Sequence, residues 1–207
     1  GVDEAQFDEA VRAALAGGFT GLKLYFMIGL PGETDDDVRG IARMAAHATR
    51  VAKETGRGRA RVTVSVSSYV PKPHTPFELE RFAGEQTLRR RQHLLREATP
   101  RGVRVTFHDV GVSLVEATLA RGGPGSDRLV EEAWRRGARF DGWSEHFDVR
   151  RWQAAAAATG MALGEAGGEP PAWRDAVDAR LDARFLADER DRGRAGRLTE
   201  DCRDGAC

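Results

Sequence analysis

Apolar and polar positions follow two different patterns along the first thirty residues. Apolar side chains recur at every fourth position from Phe7 to Leu15, which predicts an amphipathic helix that stops at Gly17. From Gly21 to Ile28 they dominate both faces of a would-be strand, as in a strand that is covered on both sides. The pattern therefore predicts a helix followed by a buried strand of a parallel sheet.

The same succession continues through the first half of the chain. The pattern predicts a helix capped by Thr34 that fades near Thr55, a strand over 62–68, a helix from about Glu85 to Thr99, and a strand from Val103 to Phe107. Strands about 40 residues apart with one helix between them indicate right-handed βαβ units. The predicted fold class is therefore α/β.

After Asp109 the pattern becomes helical only. The predicted helices are Ser113 to Ala120, Asp127 to Arg136, Val149 to Thr159 and Trp173 to Arg192. We accordingly divide the chain into the α/β part at 1–109, a helical extension at 110–160, and a linker, helix and cysteine-containing tail at 161–207.

The composition of the chain bears on whether it binds nucleic acid or a membrane. The 207 residues include 32 Lys plus Arg and 32 Asp plus Glu, so there is no overall basic field to hold nucleic acid. No apolar run is long enough for a membrane span and no signal peptide pattern opens the chain, so a cytoplasmic protein without membrane contact is expected. The chain begins at Gly1 and stops at Cys207, and we expect it to be a fragment.

The stretch LYFMIGLPGET, at 24–34, drives a predicted strand into a rigid turn. Gly29 and Gly32 remove side chains from that turn, while Pro31 fixes φ and lacks an amide hydrogen. Because the ligand side of a parallel sheet lies at the carboxyl ends of its strands, the turn is a candidate binding rim. A tight strand-to-helix turn with an N-cap is the alternative, and spacing alone leaves both open.

Motifs elsewhere in the chain extend this interpretation. MIGLPGET at 27–34, followed by SSYVPKPHTPF at 67–77, resembles the late part of the radical S-adenosylmethionine (SAM) core. The longer layout, with FHD at 107–109, ARFDGWSEHFD at 138–148 and LTEDCRDGAC at 198–207, resembles the C-terminal portion of a radical SAM family with an N-terminal cobalamin-binding-like domain.

The resemblance implies a partial (βα)6 barrel to which this chain supplies the fifth and sixth strands, followed by a mostly helical C-terminal region. It implies an adenosine-binding role for Met27 as an apolar contact, for Gly29 and Pro31 at the strand end, and for Tyr69 and Val70 through their backbone. A bulky substitution such as Gly29→Val is expected to weaken SAM binding with the fold largely intact.

The cofactors implied by the resemblance are SAM and a [4Fe-4S] cluster, and whether cobalamin takes part stays open. Such enzymes bind the cluster through a CxxxCxxC loop, which this sequence lacks. We therefore expect the isolated chain to be inactive and to need the missing N-terminal half of the same protein. Cys202 and Cys207 are candidate metal ligands only together with further cysteines, and are otherwise free thiols.

Two histidines are candidates for the substrate side of the site. His74 lies in the PKPHTP loop and His108 follows the third predicted strand. A plain loop histidine, or a hydrogen-bonded pair such as His108 with Asp109, is the alternative. His108 and His146 with a carboxylate would form a metal site, although their spacing does not require one.

Two classes of function follow from the sequence. In the first, the chain is a fragment of a radical SAM enzyme that acts on an unassigned substrate. In the second, it is a non-catalytic binding module whose helical half and Arg-rich segment Arg184 to Arg197 dock a protein or RNA. A CxxxCxxC motif in the upstream sequence would favour the enzyme.

Overall fold

The computed structural model describes residues 3–165 and 167–200. The elements, in chain order, are α1 (Glu4–Ala16), β1 (Gly21–Ile28), α2 (Asp35–Glu54), β2 (Arg61–Ser68), α3 (Gly84–Ala98), β3 (Arg104–Phe107), α4 (Val110–Ala120), α5 (Ser126–Arg135), α6 (Val149–Thr159), a 3-10 turn (Arg174–Ala176) and α7 (Ala183–Arg194). In these two ranges, no helix combines the length and the apolar character needed to cross a lipid bilayer.

The three strands form one parallel sheet in the order β1-β2-β3. The register of β1 runs from Gly21 opposite Arg61 to Ile28 opposite Ser68, and β3 pairs with residues 63–66 of β2. Each strand is followed by a helix, so the predicted α/β class and the βα succession are confirmed.

Of the described residues, 3–69 and 86–110 form one compact unit, and 70–85, 111–165 and 167–200 form a second. The first unit contains the whole sheet with α1, α2 and most of α3. The second contains most of α4 and all of α5, α6 and α7. The domain boundaries expected at residues 109 and 160 stay predictions.

In the first unit, the helices cover one face of the sheet. Helix α2 packs on β1 and β2, and the side chains of Val62, Val64 and Val66 are buried. On the opposite face, Tyr25 is 72% exposed and Met27 is 43% exposed. Within the described residues of this unit, the prediction that β1 is covered on both faces is therefore wrong, because α2 packs on one side of this edge strand and the side chains on its other side are exposed.

The second unit has a helical core built by α4, α5 and α6. Its buried side chains are Val115, Leu129, Ala133, Ala138, Trp152, Ala155 and Ala156. The indole nitrogen of Trp152 donates a hydrogen bond of 2.7 Å to the carboxylate of Asp141. The predicted helices over this part of the chain are confirmed, with ends that differ by a few residues.

The single helix predicted from Trp173 to Arg192 is wrong. The structure has the short 3-10 turn first and α7 only from Ala183. Between them, the carboxylate of Asp178 accepts a hydrogen bond from the Arg180 amide at 2.8 Å, and Asp182 caps α7. Aspartate side chains that bond to the local backbone compete with a continuous helix, which explains the break.

Candidate functional site

The carboxyl edge of the sheet, where β1, β2 and β3 end, is the candidate site. The amide of Tyr69, directly after β2, donates to the carbonyl of Ile28 at 2.7 Å. The amide of His108, directly after β3, donates to the carbonyl of Val66 at 2.8 Å. These bonds tie the three strand ends together. The candidates in the first unit that lie at or beside these ends are Met27, Gly29, Pro31, Tyr69 and His108.

The turn after β1 is built by proline and glycine. The amide of Glu33 donates to the carbonyl of Leu30 at 3.1 Å, with Pro31 at the second position and Gly32, at φ 76°, at the third. This arrangement is that of a type II turn. Gly29 is buried and has φ 91°, so valine at this position would strain the backbone as well as crowd the edge. Contrary to the prediction from sequence, we therefore expect Gly29→Val to destabilise the fold.

A buried ion pair fixes the turn to α3. One carboxylate oxygen of Glu33 accepts a hydrogen bond from the Gly29 amide at 2.9 Å and lies 2.6 Å from Nη1 of Arg91. Nη2 of Arg91 donates to the carbonyl of Glu33 at 2.7 Å. The two side chains are only 6% and 10% exposed. Glu33 and Arg91 thus hold both ends of the turn in one position.

The electrostatics of this pair favour a positioning role. Burial raises the pKa of the Glu33 carboxyl above its ordinary value, while the Gly29 amide and Arg91 act in the opposite direction. Nε of Arg91 is buried and has no hydrogen-bond partner in the described part of the chain. Because both charged groups point at the turn and at each other, their chemistry is to hold the backbone rather than to exchange protons with solvent.

The acidic residues after the turn form the first turn of α2. The hydroxyl of Thr34 accepts from the Asp37 amide, and the Asp37 carboxylate accepts from the Thr34 amide at 2.8 Å, which forms a capping box. The Thr34 amide holds the pKa of Asp37 below its usual range, and a hydrogen bond from Arg90 does the same for Asp35. The predicted N-cap at Thr34 is confirmed.

The face of the sheet opposite the helices is mostly polar. Its residues on the three strands are Lys23, Tyr25, Met27, Thr63, Ser65, Ser67, Arg104 and Thr106. Parallel sheets are normally covered on both faces, either by helices or by closure into a barrel. A polar, accessible face next to the turn is therefore a surface that a ligand or further chain can cover.

Met27 and Tyr69 differ in what they can offer a ligand. The exposed Met27 side chain lies on the open face one residue before the last residue of β1. Tyr69 is buried, and its amide hydrogen is already bonded to Ile28. The side chain of Met27 is thus accessible, whereas the amide of Tyr69 is not. Val70 is buried as well and belongs to the second unit.

His74 is part of a polar cluster within the second unit. It has φ 59°, and its amide donates to the carboxylate of Glu78 at 2.7 Å. Nε of Arg174 donates to the same carboxylate at 2.9 Å, and the ring of His74 lies 6.3 Å from that of Trp173. Burial favours protonation of Glu78, but the hydrogen bonds from Arg174 and the His74 amide outweigh it and lower its pKa. This cluster fixes the loop; the substrate-side role of His74 stays a prediction.

The remaining candidates are His108 and the two cysteines. His108 is exposed, and its carbonyl accepts a hydrogen bond of 3.3 Å from the side chain of Gln92. Cys202 and Cys207 lie outside the described residues. Within residues 3–165 and 167–200, no group of three or more His, Cys, Asp or Glu side chains is arranged to hold a metal ion.

The Arg-rich segment is largely neutralised by its own surroundings. Arg190 lies 3.0 Å from Asp191, Arg192 lies 3.0 Å from Glu189, and Arg194 pairs with Glu80. Three of its five arginines thus lie in ion pairs, and its docking of a protein or RNA stays a prediction.

Glu33 and Arg91 were not among the residues predicted from sequence. The signal for Arg91 is its register in α3, where it shares the buried stripe with Leu88, Gln92 and Leu95. An arginine in a core position needs a partner, because charged side chains are almost never buried alone. The sequence does not reveal that the partner is Glu33, 58 residues earlier.

No family model matches this chain, and no solved structure shows a significant match. An uncharacterized protein of Methanocaldococcus jannaschii is 31% identical over 121 residues, which make up 58% of this chain and 26% of that protein. The matched part of this chain thus spans about a quarter of the length of that relative.

Proposed function

We propose that this chain is the adenosine-side part of a cytoplasmic radical SAM enzyme whose substrate is unassigned. The observation that carries the proposal is the parallel pairing of β1 and β2. Because of it, the GLPGE turn and Tyr69 leave the sheet at the same edge, as the motif resemblance requires. Opposite edges would have excluded a shared adenosine site.

The residues of the first unit offer an adenine one apolar contact and several backbone groups. The exposed thioether of Met27 offers an apolar contact, and the turn at Gly29 and Pro31 adds no bulky side chain beside it. Glu33 and Arg91 would keep this turn in place during binding. Tyr69 and Val70 would contribute backbone groups other than the Tyr69 amide.

The iron–sulfur cluster does not fit on this chain. The sequence has only Cys202 and Cys207, which are too few to hold it. In radical SAM enzymes, SAM bound to a reduced cluster supplies a carbon-centred radical. We therefore assign to this chain the binding of the adenosine half and assign cluster binding to the missing N-terminal half, where a cobalamin-binding-like domain would also lie.

Two features support a partial barrel. In the described part of the first unit, the three strands are parallel, α2 packs on one face of the sheet, and exposed Tyr25 and Met27 lie on the other. β1 is an edge strand whose outer hydrogen-bonding side is available to a preceding strand. Further parallel strands that pair with β1 would curve this sheet into a barrel and enclose its polar face. The greater length of the archaeal relative is compatible with such an upstream part.

The test uses the full-length natural protein, reconstituted without oxygen with iron and sulfide. We expect it to bind SAM in isothermal titration and to release 5′-deoxyadenosine after reduction, and we expect this chain alone to release none. Met27→Ser should weaken SAM binding by about tenfold, since it removes apolar contact area.

Tyr25→Ser is the matched control for this experiment. Tyr25 is exposed on the same face and same strand, two residues farther from the edge. We expect this variant to bind SAM like the wild type. A full-length protein that binds no SAM, or an equal loss in the two variants, would refute the proposed site.

A further inference from the structure

The amino edge of the sheet, where the three strands begin, carries a concentration of positive charge. Segments 17–23, 55–63 and 99–106, which lead into β1, β2 and β3, contain six Lys or Arg residues and no Asp or Glu. We call these six the amino-edge cations: Lys23, Arg57, Arg59, Arg61, Arg101 and Arg104. Since the whole chain has 32 residues of each sign, this excess is local.

Three of these cations line one cavity. It has a volume of about 410 Å³ and is lined by Lys23, Arg61 and Arg104 together with Thr63. Lys23 and Arg104 flank Thr63 in the register of the sheet, and Arg61 lies two residues earlier on β2. Neighbouring strands are about 4.8 Å apart, so these long side chains can reach one ligand between them.

The amino-edge cations differ from most other charges of the first unit in having no acidic partner. Elsewhere in this unit, Arg12 pairs with Asp8, Arg90 with Asp35, and Arg91 with Glu33. In the parts of the chain that the structure describes, none of the six forms an ion pair with a carboxylate. Arg61 on the middle strand lies diagonally between Lys23 on β1 and Arg104 on β3, so three like charges share one small region, and an anion would relieve their repulsion.

We propose that this cavity binds the phosphate or pyrophosphate group of a small ligand. The guanidinium groups of Arg61 and Arg104 can each donate paired hydrogen bonds to phosphate oxygens, and the hydroxyl of Thr63 can add another. Lys23, whose ammonium lies 5.0 Å from the centre of the Tyr25 ring, adds a point charge. The site lies at the opposite edge of the sheet from the SAM proposal and stands without it.

The shape of the site favours a small ligand over RNA. Its volume is in the range of small-molecule sites, and three of the six amino-edge cations line it. A groove for single-stranded RNA pairs its positive charge with several aromatic platforms on which bases stack. The three segments contain one aromatic residue, Phe19.

The test measures binding of inorganic pyrophosphate to the full-length natural protein by isothermal titration. We expect Arg61→Gln and Arg104→Gln each to weaken this binding by about tenfold, the usual effect of removing a charged hydrogen-bond donor. Arg39→Gln, which removes an exposed arginine from α2, is the matched control and should bind like the wild type.

A stability readout separates a binding role from a structural one. Without pyrophosphate, Arg61→Gln and Arg104→Gln should keep the wild-type Tm or exceed it, because each relieves repulsion. With pyrophosphate, the wild-type Tm should rise, and the Tm of each variant should rise by less. Absence of pyrophosphate binding, equal binding by all variants, or a lower Tm of both Gln variants without ligand would overturn the proposal. Tighter binding of a short single-stranded RNA, weakened equally by Arg57→Gln, would also overturn it.

Discussion

At the carboxyl edge of the sheet, charged side chains lie in pairs, whereas at the amino edge they lie together without a carboxylate. Glu33 with Arg91 and Asp35 with Arg90 surround the turn after β1. The six amino-edge cations surround the starts of the same strands. Although the net charge of the chain is zero, the carboxyl edge of the sheet carries paired charges and the amino edge carries an excess of positive charge.

The difference indicates what substitutions at each edge should change. Paired charges that are buried at a turn hold the backbone, so their loss should appear as lost stability. Cations that have no carboxylate partner and repel one another contribute little to the stability of the free protein, so their loss should appear mainly as lost binding. The following predictions test this contrast.

The largest effect is expected for Arg91→Met. This change leaves the Glu33 carboxylate buried without its cation, and we expect the free energy of unfolding to fall by about 3 kcal/mol. Urea unfolding followed by far-UV circular dichroism measures it. Arg90→Met removes the partner of Asp35 at the exposed surface, so it is the control and should cost clearly less stability than Arg91→Met. Equal costs in the two variants would contradict the holding role of Arg91.

A smaller effect is expected for Gly32→Ala in the turn. A Cβ at Gly32 meets no atom within 4 Å, so the cost comes only from its positive φ and should be about 1 kcal/mol. Gly58→Ala at the amino edge, where φ is not positive, should be neutral or slightly stabilising. Thermal unfolding of both variants makes the comparison, and a neutral Gly32→Ala would argue against the type II turn.

The pH dependence of stability should differ in sign between Glu33 and Asp37. The folded-state pKa of Glu33 is raised, so its contribution is present at low pH and is lost as pH rises through that pKa. Wild type should therefore lose stability relative to Glu33→Gln as the pH rises above the ordinary glutamate pKa of about 4.3. The folded-state pKa of Asp37 is lowered, so its contribution is present at neutral pH and is lost on acidification. Wild type should therefore lose stability relative to Asp37→Asn as the pH falls. Urea unfolding of the wild type and both variants at several pH values measures these differences. The same sign of pH dependence for Glu33 and Asp37 would contradict the prediction.

The smallest effect is expected for Arg104→Gln in the absence of ligand. Its free energy of unfolding should stay within about 0.5 kcal/mol of the wild type, as for most surface changes. Added salt should stabilise the wild type more than the variant, because it screens the repulsion among the amino-edge cations. A variant that is strongly destabilised, or a wild type that salt weakens, would mean that Arg104 has a structural partner.

The sequence predicted the secondary structure of the first unit well, because the relevant patterns are local. The bounds of β1 are those read from the apolar run, and Thr34 is the cap expected from the acidic turn after it. The exposure of Tyr25 was not predictable, since an apolar run does not show which neighbouring strands are present. The break before α7 was missed because aspartates that bond their own backbone look like ordinary helix residues.

The candidate site was predictable only in outline. Parallel strands place their carboxyl ends together, so the proximity of the GLPGE turn to Tyr69 followed from the βα pattern. The contact between Glu33 and Arg91 joins residues 58 positions apart and depends on how α3 packs, which no local pattern encodes. The cavity lined by Arg61 and Arg104 likewise depends on strand register rather than on composition.

The hydrogen bond between Trp152 and Asp141 has a consequence for spectroscopy. All four tryptophans of the chain, at 134, 143, 152 and 173, belong to the second unit, and both tyrosines, Tyr25 and Tyr69, belong to the first. The buried indole of Trp152 should shift its emission to longer wavelength when the second unit unfolds. Tryptophan fluorescence therefore monitors the second unit, while far-UV circular dichroism monitors the helices and strands of both units. If the two signals change at different urea concentrations, the two units melt as separate cooperative blocks.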